Sequence, residues 1–150
     1  MKKILFVCTG NTCRSPMAEV LLQNKIEKAA KTADFLAESA GLAAVPGAPA
    51  SENSCLAIEK CGLSLAKHNS RQLTQQLIEE SVLVLTMTDR HRDAIRQEVP
   101  AFTDRVFTIA EYSGCDGEIT DPYGGTLKRY EACICDLQNR IDLIWKKINK

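Results

Sequence analysis

The sequence predicts an α/β domain, a parallel sheet flanked by helices, with an anion-binding loop after the first strand. Three observations carry this. Four short apolar runs alternate with stretches of helical periodicity, the pattern of βαβ units joined by right-handed crossovers. The third run, Val82-Leu83-Val84-Leu85-Thr86-Met87, is apolar at nearly every position, as a parallel strand covered on both faces requires. The first run leads straight into a polar loop and a helix start. Ligands bind there in such sheets, beyond the carboxyl ends of the strands.

The elements follow in order. Lys3-Ile4-Leu5-Phe6-Val7 is the first strand. Ser15 is a natural N-cap for the first helix, and Pro16 fits its first position because the missing N–H has no partner there. That helix runs to about Lys31, with Ala18, Leu21, Leu22, Ile26 and Ala29 on one face. Phe35 to Ser39 reads as the second strand. Ala40 to Ala50 holds two Pro and two Gly and is a loop. Ser51 or Ser54 opens a second helix that runs to Cys61, with Gly62 as its C′ residue. Thr74 caps a short helix, and Leu73 with Ile78 forms a hydrophobic staple across its start. A helix with a strongly basic face, through His91, Arg92 and Arg96, follows the third strand. Arg105 to Ile109 is the fourth strand, and Ser113 to Gly125 is a polar, Gly-rich loop. Leu127, Tyr130, Ile134, Leu137, Ile141, Ile144 and Ile148 then recur at alternating spacings of three and four. A coiled coil would show this too. The run is short and the sheet needs cover, so it reads as a final helix packed on the core.

One hundred and fifty residues suit one domain with a single sizeable core. Nineteen basic and nineteen acidic residues balance, which argues against a nucleic-acid or membrane-surface binder. The basic start and the apolar run up to Cys8 imitate a signal peptide, but the run stops at Thr9 and no small-residue cleavage site follows. Seven cysteines, an odd number without paired Cys-x2-Cys spacing, read as reduced thiols in a cytoplasmic protein.

The chemistry concentrates in Cys8-Thr9-Gly10-Asn11-Thr12-Cys13-Arg14-Ser15-Pro16. The N–H groups of so tight a loop can turn inward as a nest for an anion, and the helix start adds unpaired donors and partial positive charge. The implied site has a thiol at its base and an arginine at its rim. A thiol attacks only as thiolate, and these neighbours favour that form. Arg14 supplies a planar fork for two phosphoryl oxygens. The Ser15 hydroxyl can donate to the sulfur, Asn11 can brace the loop in left-handed geometry, and Gly10 permits a backbone conformation that a side chain would obstruct. Together these point to phosphoryl transfer onto Cys8, without metal or other cofactor.

Cys8 to Pro16, with Met17-Ala18-Glu19 following, resembles the signature of the low-molecular-weight protein tyrosine phosphatase family. The resemblance continues at Ser39-Ala40-Gly41, at His68 through Arg71-Gln72-Leu73-Thr74, and at Asp121-Pro122-Tyr123-Gly124. Thr9, Thr12 and Gly124-Gly125 are most similar to the bacterial protein-arginine phosphatases. The resemblance implies a four-stranded parallel sheet of order 2-1-3-4. It implies Asp121 as the acid that protonates the leaving atom and then the base that activates water. It assigns Ser39 and His68, with Asn11, to a network supporting the loop, and Tyr123 to a wall of the cleft.

The substrates expected are phosphorylated proteins, handled by a monomer. Tyrosine phosphatases of the family commonly carry a bulky apolar residue where Thr12 stands. A smaller, polar threonine suits a guanidinium, so phosphoarginine is preferred and phosphotyrosine is the alternative. Thioredoxin-coupled arsenate reductases share the loop but need two further cysteines after the third strand. Thr88 to Glu98 has none, and Cys115 stands alone. Phosphocysteine carrier domains of sugar transport also place a cysteine after strand one, but do not generally need an equivalent of Arg14 or Asp121. Cys13, five residues from Cys8, is expected to trap an oxidised Cys8 as a disulfide.

Overall fold

A computed structural model describes all residues, 1–150. Four parallel strands, β1 (Lys2–Cys8), β2 (Phe35–Gly41), β3 (Leu83–Thr86) and β4 (Val106–Thr108), form one sheet of order β2-β1-β3-β4. Six α-helices connect and cover it: α1 (Arg14–Lys28), α2 (Glu52–Glu59), α3 (Gln75–Glu80), α4 (Asp89–Glu98), α5 (Ile109–Ser113) and α6 (Leu127–Ile148). A 3-10 turn over Pro100–Arg105 leads into β4.

Strand periodicity sorts the core into two layers. Ile4, Phe6, Leu83 and Leu85 face the larger cluster, with Met17, Leu22 and Ile26 of α1 and Ile134, Leu137, Ile141 and Ile144 of α6. Leu5, Val7 and Val84 face the smaller one, with Ile78 of α3 and Ile95 of α4. Both faces of β1 and β3 are therefore dry, which is why their sequences show no polar alternation. The three-and-four spacing near the C-terminus belongs to α6, whose buried stripe also takes in Cys133 and Arg140.

Several ends differ from the sequence reading. Helix α1 begins at Arg14, with Cys13 at the N-cap and no side-chain cap, so Ser15 is a first-turn residue and not the cap. Its hydroxyl is committed to the loop instead. The helix ends at Lys28. Ala30 turns left-handed (φ 55), and Lys31 and Ala30 N–H groups bond the carbonyls of Ile26 and Glu27. This is a Schellman ending with alanine where glycine is usual, so no glycine signals it. Strand β2 runs two residues past Ser39, to Gly41. After β4, Thr108 and Glu111 form a capping box that opens α5, hidden in sequence by its five-residue length. The caps at Ser51 and Thr74 are as expected: each side chain accepts an N–H three residues on, from Ser54 and Leu77.

Candidate active site

β1 ends at Cys8, paired with Gly41 of β2, and the chain turns through Thr9 to Cys13 before α1 begins. Gly41 is required there: a Cβ on it would lie 2.6 Å from the Thr9 carbonyl oxygen and 3.0 Å from the Asn11 nitrogen. The sequence reading placed that demand on Gly10. A Cβ at Gly10 would meet only Thr12 Oγ1, at an ordinary 3.7 Å, so nothing in the protein obstructs a side chain there.

No backbone N–H from Thr9 to Ser15 donates to a protein acceptor. They form an unbroken run of free donors directly after Cys8, and such a run can serve as an anion nest. The turn is held by Asn11, which is fully buried and left-handed (φ 58). Its Oδ1 accepts from Arg71 N at 3.0 Å, and its carbonyl accepts from His68 Nε2 at 2.7 Å and Ser70 Oγ at 2.8 Å. Its Nδ2 donates to Ser15 Oγ at 2.9 Å and Ser39 Oγ at 3.0 Å. Left-handed strain of this kind persists only where neighbours over-determine it.

The Ser15 hydroxyl lies 2.9 Å from Cys8 Sγ. Ser15 Oγ accepts from Asn11, and its own proton can be given to the sulfur once Cys8 is a thiolate, which can only accept. The competing acceptor, Ala40 O, is at 3.5 Å. Ser39 donates to Glu19 Oε1 at 2.8 Å. Burial pushes the Glu19 carboxyl up, against the opposing hydrogen bond from Ser39 and the charge of Arg71. His68 donates from Nε2, since a carbonyl can only accept. Its pKa is lowered, chiefly by burial, against the effect of that hydrogen bond.

Arg14 is 5% exposed, so it forms a buried wall and does not sit at the rim. Nη1 donates to Ile119 O at 2.9 Å, and Nη2 lies 3.6 Å from Asp121 Oδ2. Asp121 Oδ1 accepts from Tyr123 N at 3.0 Å. The sequence motif placed Asp121 and Tyr123 here, on a polar, Gly-rich loop, but not what holds that loop. In the fold it is tied down: Ile119 N donates to Met87 O at the end of β3, and Arg140 holds the carbonyls of Asp116 and Gly117. Cys8, Thr9, Gly10, Thr12, Cys13, Arg14, Asp121 and Tyr123 line one cavity of about 320 Å³. Tyr123 is 76% exposed and forms its outer lip. Cys13 is buried, its Sγ 3.4 Å from both Ser51 Oγ and Tyr130 OH.

The model of the low molecular weight phosphotyrosine protein phosphatases matches residues 3–150. The chain belongs to this family. It is 40% identical over 147 residues to a protein-arginine-phosphatase of Geobacillus stearothermophilus, covering 97% of this chain and 95% of that one. A low molecular weight protein tyrosine phosphatase from T. tengcongensis superposes with a TM-score of 0.94 at 36% identity, covering 99% of this chain and all of that one. A YwlE arginine phosphatase mutant, a cysteine changed to serine and carrying a phosphorylated active-site serine, superposes at 0.93 with 36% identity. That likeness covers 99% of this chain and 96% of the mutant.

Sequence reasoning missed several residues of this family member's site. Ser70, Arg71 and Glu19 belong to the loop's support, and the run from His68 to Arg71 in the motif was the available signal for the first two. The basic face expected on α4 does not exist. Arg92 is tied to Asp93 and Glu111, and Arg96 donates to Val106 O at 2.5 Å. His91 is 7% exposed, with Nε2 3.0 Å from Thr9 Oγ1 and no partner for Nδ1.

The pKa of His91 is lowered to about 4, first by burial and then by the Arg14 cation, while Glu118 and Asp121 act the other way. The unfolded chain takes up this proton near pH 6.5 and the folded chain near 4. Stability from neutral His91 is therefore present above pH 6.5 and lost as pH falls toward 4. At about 1.4 kcal/mol per unit this is worth about 3 kcal/mol. Denaturant titrations should show His91→Gln gaining on the parent by that order between pH 7 and 4. Parallel stability curves would contradict the assignment.

Proposed function

We propose that this chain is a cytoplasmic, monomeric protein-arginine phosphatase that works through a phosphocysteine intermediate. The observation that carries it is the run of free N–H groups directly after Cys8, with Cys8, Arg14 and Asp121 lining one cavity. A planar or linear anion would leave part of that nest unused, whereas a trigonal-bipyramidal phosphoryl group places three equatorial oxygens against it. Cys8 Sγ attacks phosphorus in line. The loop donors and the Arg14 fork hold the equatorial oxygens, where catalysis of loose phosphoryl transfer has leverage. Asp121 protonates the departing guanidinium nitrogen, and the P–N bond breaks. The same carboxylate then takes a proton from water as it attacks the phosphocysteine, freeing the thiolate and inorganic phosphate.

The relatives named arginine phosphatases support the phosphoarginine reading, and so does Thr12. Its half-buried side chain lines the cavity and presents a hydroxyl where a phenyl ring would want apolar surface. The tyrosine lip, Tyr123, is what favours phosphotyrosine as the second reading. Changing Thr12 to Ile tests the choice. One apolar contact is worth about 1–3 kcal/mol, or roughly ten- to two-hundredfold in relative kcat/KM. Phosphotyrosine turnover should hold or rise while phosphoarginine turnover falls. A ratio that stays put removes Thr12 from recognition, and loss of both activities indicates a damaged loop.

Cys13 shares the cavity with Cys8, and both are free thiols. Under peroxide a Cys8–Cys13 crosslink is expected in a non-reducing digest. Cys8 sulfinic acid without that link would remove the protective role of Cys13.

A further inference from the structure

Away from the cavity, one seam brings together two exposed thiols that the phosphatase reaction does not use. Helix α2 ends at Glu59, and its terminal turn carries Lys60 and Cys61 along the flank of α6. Lys60 Nζ meets Glu131 Oε1 at 2.5 Å. Gln138 Nε2 donates to Cys61 Sγ at 3.8 Å. Glu131, Cys135 and Gln138 are spaced by four and then three, so they share one stripe of α6. Contacts from the α2 turn thus fall on the stripe one turn before and one turn after Cys135. Cys61 and Cys135 are both free and exposed. Electrostatics agree with the geometry: the Cys61 thiol is pushed up by burial and then by the charge of Cys135.

We propose that Cys61 and Cys135 form a surface dithiol that closes to a disulfide under peroxide, clamping the end of α2 to α6. The thiolate of one cysteine attacks hydrogen peroxide; the O–O bond breaks, leaving a sulfenic acid and a hydroxide that becomes one water by taking the proton the thiol released. The second thiolate attacks that sulfur, the S–S bond forms, the S–O bond breaks, and hydroxide leaves as a second water. In balance, two thiols and one peroxide give one disulfide and two waters. The bond closes a long stretch of chain and so restricts the unfolded state. It also anchors the near end of the segment that carries His68, Ser70 and Arg71 to Asn11. None of this depends on the phosphatase reading.

The test uses the full chain treated briefly with hydrogen peroxide, alkylated, and digested with trypsin without reduction. A crosslink is expected between the peptide starting at Cys61 and the one spanning Tyr130 to Arg140, with fragmentation placing it on Cys135. Cys133 shares the second peptide but is buried, its pKa pushed up to about 12 by burial, and serves as the internal control. Calorimetry should give a Tm several degrees higher for the oxidised than for the reduced protein. Cys61→Ser and Cys135→Ser, both at exposed positions, should lose the crosslink and that part of the Tm rise. The proposal is overturned if both thiols remain alkylatable, if Cys61 links to another cysteine or only between two chains, or if the crosslink forms without raising Tm.

Discussion

Cys8→Ser should abolish turnover while leaving the fold and oxyanion binding in place. The cavity floor keeps its geometry in this variant, because the free N–H groups from Thr9 to Ser15 belong to the backbone and Asn11 ties the turn to His68, Ser70 and Arg71. What changes is the attacking atom. A hydroxyl is far less nucleophilic than a thiolate at neutral pH, and no general base lies beside it. The Ser15 hydroxyl, its neighbour at 2.9 Å, can donate to the sulfur but is no base at neutral pH. The expected fall in kcat is at least about 10⁴-fold, the scale on which removing a nucleophile acts. Inorganic phosphate should still protect the variant against thermal unfolding. Hydrolysis at near-parental rate would remove the proposed mechanism.

Arg14→Lys should also be severe, by about a hundredfold or more in kcat, the scale for losing a preorganised oxyanion donor. The arginine is buried, with Nη1 spent on the Ile119 carbonyl and Nη2 turned toward Asp121. Its planar fork holds the loop that carries Ile119 and Asp121 and lines the cavity at the same time. A lysine ammonium is a single point of charge and cannot satisfy both. The kinetic signature separates this from a binding defect: kcat and kcat/KM should fall together. A kcat within about threefold of the parent, under roughly 0.7 kcal/mol, would contradict a transition-state role for Arg14.

Much of the scaffold was legible because its signals are local. The strands announced themselves as short apolar runs, and Ser51 and Thr74 cap helices with side chains that act three residues away. The loop from Cys8 to Arg14 was legible as an anion site because N–H donors, thiol and guanidinium lie within seven residues. What escaped depends on partners far along the chain. Ser15 looked like a cap, but its hydroxyl is engaged by Asn11 and Cys8 together. Gly10 looked obligatory, but the close approach is made by Gly41, thirty-three residues from Cys8, once β2 pairs with β1. His91 looked like part of a charged helix face, and only the packing of α4 beside the loop turns it inward toward Thr9. Nothing in the loop over Ser113 to Gly125 foretold that Arg140, on α6, would hold it rigid enough to aim Asp121.

An arginine phosphatase must turn over phosphoarginine in proteins faster than phosphotyrosine. The direct measurement is kcat/KM for two peptides of identical sequence, one carrying phosphoarginine and the other phosphotyrosine, on the purified parent chain. A clear preference for phosphoarginine is expected, with inorganic phosphate released from both peptides only when Cys8 is present. Preference for phosphotyrosine, or equal rates on the two peptides, would contradict it.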